Sequence, residues 1–127
     1  MKFLFDKQEK YTLFQILEDK VDSVISPLVK SELVTLNAEG IRNIILDLSA
    51  VKYIDSSGLS ALLTGNRLCI ASGGVFIVAA PSEHVMKLIQ ISQLETVLNI
   101  LPTKEEAIDA VFMHELEIEL KKAQGEQ

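Results

Sequence analysis

Two short apolar runs open the chain. Lys2 to Asp6 and Thr12 to Leu17 are rich in β-formers and are joined by the polar stretch Lys7-Gln8-Glu9-Lys10, a pattern that predicts an antiparallel strand pair. Ser26-Pro27 then reads as a helix start, with the serine as N-cap and proline where its missing N–H costs nothing. Ile25, Val29, Leu33 and Leu36 recur at helical spacing, and Gly40 marks the stop. Asn43 to Leu48 is apolar almost throughout, as a strand buried in the middle of a sheet should be.

The second half repeats this alternation. Val51 to Ile54 is strand-like and runs into Asp55-Ser56-Ser57-Gly58, after which Leu59, Leu62, Leu63, Cys69 and Ile70 predict the inward side of a helix ended by Gly73-Gly74. Val75 to Ala80 is the most apolar strand. Pro81-Ser82 opens a helix with Val85, Leu88 and Ile89 inward, and Thr96 to Leu101 is a further strand. Thr103 and Glu106 have the spacing of a capping box, from which a last helix runs to about Lys122 with Ile108, Val111 and Phe112 inward. The order ββαβαβαβα predicts an α/β domain with parallel pairing and right-handed crossovers. Residues 1–122 are read as one domain and 123–127 as a frayed tail.

Composition narrows the function. At 127 residues, 48% hydrophobic and 24% charged, the chain is long enough for its own core and too apolar to be disordered. A formal charge of −6 argues against a nucleic-acid partner, which needs clustered cations. The last 24 residues, with seven acids and three bases, hold −4 of it, and Glu115, Glu117 and Glu119 are read as a solvated face. The lone Cys69 forms no internal disulfide, the N-terminal apolar stretch is too short for a signal-peptide core, and no run approaches the ~20 residues of a membrane span. The expectation is a cytoplasmic protein without a membrane partner.

Few motifs carry chemistry. Neither G-x-x-x-x-G-K-[ST] nor G-x-G-x-x-G is present, His84 and His114 lack ligand-spaced neighbours and read as exposed helix residues, and Cys69 falls on an inward stripe. No cofactor or metal is expected. Asp55-Ser56-Ser57-Gly58 stands out by position. Alone it is an ordinary helix cap, but it follows a strand, and partners of open parallel sheets meet the carboxyl ends of strands. A phosphate there would add about −1.5 to −2 charges at a helix start, which tolerates anions. A surface could thus be switched without unfolding the domain.

With this element order, Asp55-Ser56-Ser57-Gly58-Leu59 resembles the STAS domain (sulfate transporter and anti-sigma factor antagonist), above all the stand-alone bacterial antagonists. Asn43 to Leu48, the Gly73-Gly74 turn and Leu88 to Leu94 support the resemblance, which covers about residues 1–113. It implies a mixed, mostly parallel sheet of about five strands with helices mainly on one face. It also implies an anti-sigma factor antagonist: a binding module, not an enzyme, whose Ser56 is phosphorylated by a serine-kinase anti-sigma factor of GHKL type and restored by a PP2C-type phosphatase. The unphosphorylated form binds the kinase and frees the sigma factor. Asp22, Asp55, Ser56, Ser57 and Gly58 are the implied partner-binding residues. Asp22 matches the aspartate of the family's G-x-[LV]-D element, whereas Asp19 replaces its glycine and puts the local turn in question. The last helix is longer than usual for the family. A monomer or weak homodimer through the N-terminal edge strand is expected.

Two alternatives stay open. The chain could be a constitutive scaffold in a stress-signalling or lipid-transport complex. An enzyme pairing Asp22 with Asp55 ranks last, because no base accompanies Ser56.

Overall fold

The computed structural model describes residues 1–125. In chain order the elements are β1 (Phe3–Lys7), β2 (Thr12–Ile16), β3 (Lys20–Val21), α1 (Ser26–Ala38), β4 (Ile44–Asp47), β5 (Tyr53–Ile54), α2 (Ser56–Ala71), β6 (Phe76–Ala79), α3 (Glu83–Ile91), β7 (Asn99–Leu101) and α4 (Lys104–Ala123). Five strands form one sheet in the order β1-β2-β4-β6-β7, with β1 antiparallel to β2 and every other pair parallel. The mixed, mostly parallel sheet expected from the sequence is present. All four residues of both β4 and β6 are buried, because helices cover both faces of these central strands.

Strand alternation divides the core in two. Phe14, Ile16, Ile44, Leu46, Phe76 and Val78 point to the face covered by α1, α2 and α3. Leu13, Ile45, Ile77 and Ala79 point to the opposite face, where α4 supplies Ala107 and Val111. Three helices therefore lie on one face and one on the other. Gly65 lets α2 approach the sheet closely, since a Cβ there would stand 2.4 Å from the Phe76 ring. Thr103 is the N-cap of α4 and its hydroxyl accepts a hydrogen bond from the Glu106 N–H, the N-cap half of the capping box read from the sequence.

Several local expectations need correction. β5 falls within the strand-like Val51 to Ile54, but it pairs with β3, too short to leave a periodic signature, in a separate two-stranded parallel sheet. The last strand begins at Asn99, because residues 93–97 turn after α3. Ser26 is not the N-cap of its helix: it is buried in the first turn, and Ile25 precedes it. Ile70 is 62% and Phe112 48% exposed, each on the rim of its helix's buried stripe. His114 is half-buried rather than exposed. Glu115, read as solvated, is 8% exposed because Arg42 draws it against the sheet end in an ion pair. α4 continues through Ala123, and residues 126–127 of the expected tail lie outside the described residues.

Candidate functional site

Asp55 explains the start of α2. It lies in extended conformation as the N-cap, and its Oδ1 accepts from the N–H groups of Ser57 at 2.9 Å and Gly58 at 3.1 Å. The same oxygen accepts the Ser57 hydroxyl. These bonds stabilise the ionised form, the Ser57 hydroxyl most of all, and hold the carboxyl below its ordinary value.

Ser57 Oγ also lies 3.1 Å from Ser26 Oγ. An ionised carboxylate only accepts, so Ser57 donates to Asp55 and Ser26 must donate to Ser57. A directed chain, Ser26 to Ser57 to Asp55, thereby joins the first turns of α1 and α2. Ser56 has the opposite environment. It is exposed at the first position of α2, and its hydroxyl has no hydrogen-bond partner among the described residues. Of two adjacent serines, one is tied inward and one is presented.

Asp22 prepares the neighbouring turn in the same way. Its Oδ1 accepts from Val24 N–H at 3.0 Å and Ile25 N–H at 3.2 Å, and its carbonyl accepts from Ser26 N–H at 2.8 Å. The β3–β5 register pairs Val21 with Ile54, so Asp22 and Asp55 are the next residues on adjacent strands. Val21 O accepts from the Asp55 N–H at 3.4 Å. Each aspartate holds its own turn through backbone N–H groups. Gly58 makes the approach possible, since a Cβ there would lie 2.6 Å from Val21 O and 2.9 Å from Ile54 Cβ.

Asp19 fits its turn without strain. It is absent from the non-glycine residues with positive φ, and its carbonyl accepts from Lys52 N–H at 2.7 Å and Tyr53 N–H at 3.1 Å. The turn therefore needs a backbone carbonyl at this position, not a glycine.

Tyr53, 54% exposed, meets His84 edge-to-face at a centroid distance of 5.0 Å. With Lys52, Ser82, Glu83 and Lys87 they line an open depression of about 470 Å³ beside β5. Neither this patch nor Ser26 was among the partner-binding residues implied by the sequence. The Tyr-Ile strand hinted at the first, whereas the Ser26–Ser57 contact spans 31 residues and leaves no local signal. Among the described residues no three His, Cys, Asp or Glu side chains gather in a metal-binding group. Burial pushes the Cys69 thiol up to about 12, far from a reactive thiolate. No helix among the described residues is long and apolar enough to cross a membrane.

A mixed five-stranded sheet with helices on both faces, and a serine presented at the start of α2, define the chain as an α/β domain. The STAS domain family model matches residues 7–107, and the chain belongs to that family. A candidate anti-sigma factor antagonist of Thermotoga maritima is 32% identical over 73 residues, which make up 58% of this chain and 65% of that protein. The chain thus matches just under two thirds of that relative's length. The crystal structure of a candidate antagonist from the same organism superposes with a TM-score of 0.78 at 24% identity, covering 86% of this chain and 93% of that one. The Bacillus cell fate determinant SpoIIAA in its phosphorylated form gives a TM-score of 0.67 at 25% identity, covering 87% and 99%.

Proposed function

We propose that the chain is an anti-sigma factor antagonist whose binding to a GHKL-type serine-kinase anti-sigma factor is controlled at Ser56. One observation carries this reading: Ser56 is exposed and has no hydrogen-bond partner among the described residues, while the adjacent Ser57 hydroxyl is engaged by Asp55 and Ser26. In the phosphoryl transfer, Ser56 Oγ bonds to the γ-phosphorus of ATP, the bond to ADP breaks, and the hydroxyl proton passes to a base of the kinase. The chain supplies the acceptor and the kinase supplies the catalysis. A phosphate on Ser56 adds about −1.5 to −2 charges beside Asp55 and Asp22 and so weakens contact with the kinase. A PP2C-type phosphatase restores the hydroxyl.

Relatives and structural neighbours described as anti-sigma factor antagonists, one of them a phosphorylated form, support this role. The test is phosphosite mapping after incubation with the GHKL kinase recovered with the chain from cells and ATP. One phosphate on Ser56, absent in Ser56→Ala, is the expected result. Phosphorylation of Ser56→Ala, together with equal kinase binding by wild type and Ser56→Asp, overturns the reading. Recovery with a transporter ATPase in place of a GHKL kinase favours the scaffold alternative.

A further inference from the structure

The switch turn has a cation beside it. Lys30, on the second turn of α1, donates from Nζ to Ser60 Oγ at 2.8 Å. Ser60 follows Ser56 by four residues on α2, so their side chains share one helix face with Cβ atoms about 5–6 Å apart. Lys30 makes no salt bridge among the described residues, in contrast to Lys7, which is paired with Glu39. Its ammonium is therefore held on a neutral hydroxyl, one turn from an exposed hydroxyl that has no partner among the described residues. A few bond rotations of this four-carbon side chain cover the distance.

We infer that Lys30 is the intramolecular partner of a phosphate on Ser56, leaving Ser60 to form an ion pair that joins α1 to α2. This rests on Ser56 being the modified residue. Two charged groups at the turn, Asp55 from its cap and Asp22 from the turn before α1, are anions and oppose the phosphate. Lys30 offsets them. It is thus a positioning residue that keeps the modified turn compact and fixes where the added charge sits. In the unmodified protein the Ser60 hydroxyl keeps the ammonium nearby.

The experiment does not depend on any kinase. Phosphoserine is encoded at position 56 of the full chain, and its second ionisation is followed by phosphorus NMR in wild-type, Lys30→Met, Lys30→Arg and Ser60→Ala backgrounds. One partly exposed ion pair lowers the phosphate pKa by roughly 0.2–0.7 unit. The expected result is therefore a phosphate pKa higher by that amount in Lys30→Met, restored in Lys30→Arg and not raised in Ser60→Ala. The shift should shrink at high salt. Amide spectra check that each variant is folded. Coincident titrations of wild type and Lys30→Met, or a Lys30→Arg curve that follows Lys30→Met, overturn the inference. A kinase that ignores Ser56 overturns the functional reading but leaves this measurement intact.

Discussion

The hydroxyl of Ser26 donates to that of Ser57, 31 positions along the chain, and so links the first turns of two parallel-packed helices. Because Ser57 in turn donates to Asp55, one short chain of bonds distinguishes the tied serine from the presented one.

Ser26→Ala removes the terminal donor of that chain from a buried site. The expected loss is about 0.5–1.5 kcal/mol, measured as a lower urea midpoint at unchanged slope. Kinase-dependent phosphorylation should still fall on Ser56, because Asp55 retains Ser57.

Asp55 makes the fold sensitive to acid. Its carboxyl is held below its unfolded value, chiefly by the Ser57 hydroxyl. A lowered folded pKa means that the unfolded state binds the extra proton, so the stabilisation is complete above the unfolded value of about 3.9. It is lost as pH falls through the folded value. Urea midpoints from pH 6 to 2 should decline less steeply for Asp55→Asn than for wild type. Parallel profiles would contradict the cap assignment.

Gly58→Ala tests the close approach of α2 to β3. Its Cβ would meet Val21 O at 2.6 Å, a backbone atom that cannot rotate away. A loss of about 1–3 kcal/mol is expected on chemical unfolding. Amide shifts should move at Val21, Asp22 and Asp55 together.

Arg42→Ala should cost more than Lys7→Ala. Arg42 pairs with Oε1 of the buried Glu115, whose Oε2 has no partner among the described residues, so removing the guanidinium strands a carboxylate. About 1–3 kcal/mol is expected. The pair of Lys7 with Glu39 is exposed on both sides and should contribute at most about 1 kcal/mol.

Much of this architecture is legible in the sequence because burial repeats with a fixed period. Asn43 to Leu48 is apolar since β4 is covered on both faces, and Thr103 with Glu106 announces α4 through adjacent backbone donors. Asp55, Ser56, Ser57 and Gly58 are legible as a turn for the same local reason. What the sequence hides is set by distant partners. β3 is two residues long and exists only through its pairing with β5, Ser26 meets the Ser57 hydroxyl of α2, and Glu115 is drawn inward by Arg42, 73 positions away. Lys30 looks like any helix lysine until α2 is packed beside it.

The most direct test of the switch is calorimetric binding of the GHKL kinase to two folded forms of the chain: unmodified and phosphoserine at 56. Binding should be weakened at least about tenfold, roughly 1.4 kcal/mol, by the phosphate at 56. Equal affinity for the unmodified and phosphorylated forms would contradict the account.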